Sequence, residues 1–536
     1  MVIVFLLFGC TSQPGVEDTG TPTYSTGWEM SVSQQLTRAS LDLRGIRPSQ
    51  AELEAVEADP DTYAFLVEDF LYHPNFGQRV RNLFAEIYLT RVEDWPRSAS
   101  EVGLSDQKPE YLASVGEEPL HILSHIAEEN LPYYTVVTAD WTMANEVLGA
   151  IWPVNYPEGE TGWKKVQYTD SRPTAGVLST NSMWWRYTST SANANRGRAN
   201  AMTRILLCDD YLTRSIEFSR DVNLLDDDAV RHAIQTNPGC VACHHSLEPL
   251  SAFFWGFFYS NDNYDMSLYR PEKEQLWREY GLSAPAYYGT SGYNLSDLGQ
   301  MVSADNKLAE CVTKQVFEGL MRRKSTVQDS ERLDDFRRDF LQGDQTLRAL
   351  YRSVVLDASY LGTSDDSGAS VDAKLIDIEL FGSQLEGLTG YRFLVDGYDM
   401  LRSDDKGLRT LGGGVDGENN MVVASAANST IMLVQQRVAE AAARYVVQED
   451  FRSPENARLL TEIRSSATPM ENPDEFARQI QLLHLRIFGR RVLRDGPEVE
   501  ANAALWKQIY AVSADSYESW SGLLTALFRD PDFLLY

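Results

Sequence analysis

No apolar run in this chain approaches the roughly 20 residues that a helix needs to cross a bilayer, which excludes a membrane-spanning helix. Basic residues are scarce too: 48 Lys and Arg stand against 77 Asp and Glu, a net charge of −29. Without a basic excess nothing displaces counterions from a phosphate backbone, so nucleic acid is excluded as a partner. The acidity reads as solubility and mutual repulsion, with steering of a cationic partner protein as the alternative. Catalytic triads, phosphate-binding loops and paired-carboxylate motifs are all missing. Gly412-Gly413-Gly414 has no strand-then-helix frame and reads as a loop. The aspartates within 362–372 lack EF-hand spacing, so that Ser-, Asp- and Gly-rich stretch reads as a linker. His121 and His125 stand one helical turn apart without the glutamate of a zinc-protease helix, and read as ordinary helix-face residues.

What is present is enough for a packed core: 43% of the 536 residues are hydrophobic and 11% aromatic. The pattern is mainly α, with no convincing series of alternating strands. Ser49 and Glu52 form a capping box. A helix starting at Asp61 is expected to carry Phe65, Leu66, Phe70 and Leu71 on one stripe and to stop at Pro74. Helical periodicity recurs over 199–207, 309–321, 344–356 and 433–446, whereas 283–295 is loop-like. Three segments look related, at 41–76, 316–360 and 485–533. The outer two run from Leu-Arg-Gly or Phe-Gly-Arg to His-Pro-Asn-Phe or Asp-Pro-Asp-Phe. Variable spacing argues against a regular solenoid, and the reading is several helical hairpin modules around a loop-rich central module. The expected divisions are a leader over 1–10, a polar tether over 11–30, and a helical domain over 31–151. A central module and following helices occupy 152–364, and a C-terminal helical domain 365–536.

One motif carries chemistry. Cys240-Val241-Ala242-Cys243-His244 is a C-x-x-C-H run. Two thiols at this spacing add across the two vinyl groups of haem, without a leaving group, and the next residue offers an imidazole to the iron. Cys240, Cys243 and His244 are therefore read as the attachment site of one covalent haem c, with His244 as axial ligand. Two rivals share the residues: a disulfide or redox C-x-x-C, and a zinc site completed by Cys208 and Cys311. Candidate sixth ligands are Met183, His232, Met266 and Met301, or water. His245 follows His244 too closely to reach the opposite face of the same haem. The run Phe253, Phe254, Trp255, Phe257, Phe258 reads as a dry wall for a haem, as plain core, or as both.

The remaining cysteines divide under the haem reading. Leu7-Phe8-Gly9-Cys10 resembles the lipobox of bacterial lipoproteins, which makes Cys10 the lipidated residue and 11–23 the start of a tether. No Lys or Arg precedes the apolar run, so the charged part of such a leader is expected upstream of Met1. Cys208 and Cys311 are left either to form a disulfide outside the cytoplasm or to remain two buried thiols.

The motif sits in a wider pattern. Asn237-Pro238 precedes it and Leu247-Glu248-Pro249 follows it; Arg196-Gly197-Arg198 and 176–180 lie upstream, and 308–317 downstream. Over about residues 31–361, a span limited by boundary error, this resembles the planctomycete-type cytochrome c-like envelope proteins. The family usually has Gly-Phe-Ala-Leu-Glu-Asn-Phe-Asp-like residues after the motif, where this chain has 251–257 as Ser-Ala-Phe-Phe-Trp-Gly-Phe. The resemblance implies a haem-binding protein of the bacterial cell envelope and no known reaction. The expectation is electron transfer to a redox partner protein, from a membrane to which a lipid anchor holds the chain, at the periplasmic or outer surface. A haem enzyme with an open sixth site is the first alternative. A surface-binding scaffold with structural haem is the second, with the aromatic-rich stretch 152–185 as its groove unless those rings are core.

Overall fold

The computed structural model describes residues 30–190, 193–214, 222–223, 226–258, 269–362 and 373–536. Cys10, the leader, nearly all of the tether, linker residues 363–372 and Met266 lie outside the described residues.

Among the described residues the chain is mainly helical, and strands occur only as three two-stranded antiparallel pairs. Thr142–Ala144 pairs with Lys164–Val166, Ala286–Tyr287 with Thr290–Ser291, and Leu394–Val395 with Tyr398–Asp399. The first pair spans the expected division at 151/152, and the largest core draws on both sides of it. No described helix is long and apolar enough to cross a membrane.

The three related segments share one order of elements. Each has a first helix, at Val32–Arg44, Asn306–Met321 and Pro473–Phe488. Two more helices follow each: Gln50–Ala58 and Thr62–Leu71, then Ser330–Gln342 and Leu347–Val355, then Pro497–Ser513 and Ser516–Phe528. Each first helix stops on a left-handed residue: Gly45 (φ 68°), Arg322 (φ 53°) and Gly489 (φ 64°). Glycine accepts that conformation without a steric penalty, which is why two of the three stops are visible in the sequence. Each third helix is followed by a buried ring: Phe76, Tyr360 or Phe533. Asp357 and Asp530 start the short helices carrying the last two by accepting from the amides of Ser359 and Asp532.

The expected phase of the helix starting near Asp61 is corrected by the structure. Thr62–Leu71 buries Tyr63, Val67, Phe70 and Leu71, while Phe65 is 74% exposed and Leu66 only half-buried. Apolar residues lie on two faces of this helix, and the stripe 63, 67, 70, 71 follows the helical repeat as well as the expected one.

Helix Val32–Arg44 belongs to two cores. Leu36, Ala39 and Leu43, spaced three and four apart, enter the first, while Leu41 enters the second with residues from 375 to 534. Leu41 stands about 200° round the helix from Ala39, so the two cores lie on opposite faces of one element. Asp42 on the same helix is 4% exposed and gathers groups from distant chain segments. Its carboxylate accepts from Tyr360 Oη at 2.5 Å and Tyr536 Oη at 2.9 Å, and pairs with Lys374 Nζ. Lys374 also donates to the Leu320 carbonyl at 2.9 Å. The first two modules and both ends of segment 365–536 thus meet at one buried ion pair.

The three tryptophans at 152, 184 and 185 in the aromatic-rich stretch are core. Trp152 and Trp185 are buried with Trp95, and Trp184 packs into the first core. Tyr156, Trp163 and Tyr168 of the same stretch are half-buried.

Candidate functional site

The C-x-x-C-H run lies within helix Pro238–Ser251 rather than in a loop. Asn237 starts the helix by accepting from the Gly239 amide at 3.0 Å, and Pro238 follows at the first position, where its missing N–H costs nothing. Pro249, in the last turn, leaves the His245 carbonyl without its usual donor. On a helix, positions 240, 243 and 244 fall on one face because they are three and four residues apart. Both thiols are free and half-buried. His245 lies about 100° further round and is exposed.

The opposite end of the helix is anchored. Leu247, Glu248, Leu250 and Ser251 are buried, and Cys243 packs at the edge of the first core. Helix Arg196–Leu207 lies against the motif helix. Ser246 Oγ and Tyr211 Oη are 2.7 Å apart, and the Arg214 guanidinium lies over the Tyr211 ring at 3.9 Å.

His244 Nδ1 is 2.8 Å from Glu248 Oε1, one turn along the same helix. The same oxygen accepts from Arg196 Nε at 2.5 Å. Burial pushes the Glu248 carboxyl up, but the hydrogen bonds with His244 and Arg196 outweigh it and hold the group below the usual carboxylate range. Glu248 Oε2 is buried without a protein partner. With Nδ1 engaged, Nε2 is the nitrogen of His244 left for a ligand. Arg198, two residues after Arg196, is 2% exposed and donates to the carbonyls of Tyr187 at 3.0 Å and Phe257 at 2.9 Å. The Arg-Gly-Arg segment therefore clasps both the motif helix and the aromatic run beyond it.

That run is turned inward. Phe254 and Phe257 pack on Trp184 at 4.6 and 6.0 Å, and Trp255 packs on Phe258 and Tyr280 at 4.2 and 4.8 Å. These rings serve the core. Of the expected sixth ligands, Met183 is 1% exposed inside the first core and His232 is exposed. Met301 is half-buried, and its methyl shares the space beside Gly292 with the Phe253 ring.

Cys208 and Cys311 form a disulfide, with Cα atoms 5.3 Å apart and 103 residues between them in sequence. That bond removes them from any zinc site with Cys240 and Cys243. Among the described residues, no group of three or more His, Cys, Asp or Glu is placed to hold a metal ion. His121 stacks on Trp163 at 3.7 Å and His125 meets Trp141 edge-on at 4.9 Å, so both are occupied in packing.

A cleft of about 2090 Å³ adjoins the motif helix. Its wall includes Leu247 and Arg196 on the motif side and Arg186, Arg204, Arg322 and Met421 elsewhere. Arg204 donates to the Ile87 carbonyl at 3.1 Å and to Tyr187 Oη at 2.6 Å. No family model matches the chain, and neither a curated protein nor a solved structure matches it.

The pairing of His244 with Glu248 was open to sequence reasoning, since i and i+4 meet on any helix. It was missed because the central module was read as loop-rich. Arg196 carried no such signal, lying 52 residues from Glu248.

Proposed function

We propose that this chain is a cell-envelope protein carrying one covalent c-type haem on Cys240 and Cys243, with His244 as an axial ligand, and that it transfers electrons to a partner protein. The observation that carries the reading is the single helical face bearing two free thiols and an imidazole whose Nδ1 is engaged by a buried carboxylate. Metal-ligating histidines usually give their second ring nitrogen to a carboxylate or carbonyl, so these residues fit the group. Cys240 and Cys243 would hold the edge of the macrocycle, and His244 Nε2 would face the iron. Glu248 would fix the ring's tautomer and orientation. When bound, haem supplies a one-electron couple at iron. Lipidation at Cys10 would keep the protein at a membrane surface, and the resemblance described above supports reading that membrane as part of a bacterial envelope.

A haem enzyme with an open sixth position is the second reading. The carboxylate on His244 favours it, because a more basic axial imidazole pushes electron density toward iron.

The test is periplasmic expression with a haem-attachment system, followed by intact-mass analysis and haem staining of denatured protein. One haem per chain is expected, lost in Cys240→Ala/Cys243→Ala. Wild-type chain without haem, beside a control cytochrome that matures, overturns the proposal. Electron transfer further expects a low-spin ferrous form that resists carbon monoxide; rapid binding selects the enzyme instead. Labelled palmitate should enter wild type and not Cys10→Ser.

A further inference from the structure

The most constrained polar group near the motif is Glu248. Its carboxylate is buried, its Oε1 takes both His244 Nδ1 and Arg196 Nε, and its Oε2 has no protein partner. Burial with two charge-capable neighbours on one oxygen makes this a rigid, oriented contact. Four residues of helix separate it from His244, so the backbone fixes the geometry. Arg196 reaches it from another helix and faces the cleft.

We propose that Glu248, balanced by Arg196, positions His244 and sets the reduction potential of a haem bound through it. This rests on the haem reading above. A carboxylate accepting from the distal side of an axial imidazole makes that imidazole a stronger donor, and its negative charge favours the ferric over the ferrous state. The guanidinium offsets part of that charge. The pair therefore acts as two opposed controls on one iron: removing the carboxylate's charge makes reduction easier, and removing the guanidinium's makes it harder. A purely structural role for the triad gives no such opposition, since damage to either residue would loosen the site in the same direction.

Three haem-loaded proteins are compared: wild type, Glu248→Gln and Arg196→Gln. Each is first weighed for one haem per chain, then titrated spectroscopically against redox mediators, and the iron–histidine stretch of the five-coordinate ferrous form, reached transiently by photodissociation of the sixth ligand where one is bound, is recorded by resonance Raman. Glu248→Gln keeps the shape and a hydrogen-bond acceptor. At the wild-type midpoint it should raise the reduced-to-oxidised ratio at least tenfold, which is about 59 mV for one electron. Its iron–histidine stretch should move to lower frequency. Arg196→Gln should lower the ratio. Because Arg196 is partly exposed, its replacement keeps the inference testable should Glu248→Gln fold poorly. An unmoved midpoint in Glu248→Gln, or shifts of the same sign in both variants, overturns the inference while leaving the haem reading intact. Absence of haem from wild type overturns that reading, and this inference with it.

Discussion

Asp42 offers the sharpest test of how the modules are joined. Its carboxylate and the Lys374 ammonium are 3% and 2% exposed, and Tyr360 and Tyr536 complete the carboxylate's hydrogen bonds. Asp42→Asn keeps the shape and removes the charge. Breaking a buried pair from one side typically costs about 3–5 kcal/mol, because the surviving charge is left unpaired. Burial already holds the Lys374 ammonium well below its ordinary pKa, so it can shed its proton once Asp42 is gone, which limits the loss to the lower part of that range. One orphaned tyrosine hydroxyl adds about 1–3 kcal/mol. The expected loss is therefore about 4–6 kcal/mol. Urea unfolding followed by tryptophan fluorescence measures it, with the midpoint falling and the slope unchanged. Lys374→Met alone should also be costly, but the double variant should recover at least half of the summed loss. A loss under about 1 kcal/mol in Asp42→Asn, or a double variant equal to the sum of the singles, would refute the reasoning.

Two further outcomes follow from side chains already described. Burial, with Arg81 and Arg91 nearby, pushes the His121 imidazole far below its ordinary value. Below about pH 6.5 the unfolded chain binds a proton that the folded site refuses, so stability falls with pH by up to about 1.4 kcal/mol per unit for this group. His125 and His484 are held down likewise, so the difference between wild type and His121→Gln from pH 6.5 to 5 isolates one residue; parallel curves would sink the assignment. The Cys208–Cys311 bond closes a loop with a sequence separation of 103 residues, for which the chain-entropy estimate is about 4.7 kcal/mol. Cys208→Ser/Cys311→Ser should lower the urea midpoint accordingly, and reductant should leave that variant's midpoint where it is; equal midpoints for variant and oxidised wild type would contradict it.

Much of the helical framework was legible because it is written locally. The Ser49–Glu52 capping box starts a helix where expected, and glycines 45 and 489 end two first helices by their conformational freedom. Arg322 ends the third in the same left-handed state, yet an arginine gives no signal of it. The C-x-x-C-H run was legible as a motif, but the helix that carries it was not foreseen, and with it the contact from His244 to Glu248 went unread. What sequence could not supply was long-range partnership. Arg196 with Glu248, and Asp42 with Tyr360, Lys374 and Tyr536, are joined by packing across tens to hundreds of residues. Cys208 with Cys311 was one of two readings open to the sequence, and the packing decides for the bond. The aromatic run 253–258 left its readings open for a related reason: its composition suits a cofactor wall and a core equally, and its packing on Trp184 and Tyr280 is what shows the core role.

The disulfide has a consequence for how such a protein is made. Its loop encloses Cys240 and Cys243, both of which are free. Four thiols can pair in three ways, and only one pairing joins 208 to 311 and 240 to 243. On the haem reading even that pairing is wrong by one bond, because the second pair must stay reduced until the vinyl groups take it. Residues 240 and 243 are also the closest in sequence, so an indiscriminate oxidant would close them readily. Biogenesis then becomes a problem of order: within one stretch of chain, oxidation must reach two sulfurs while reduction protects two others. The yield of mature protein would report how well a cell keeps that schedule.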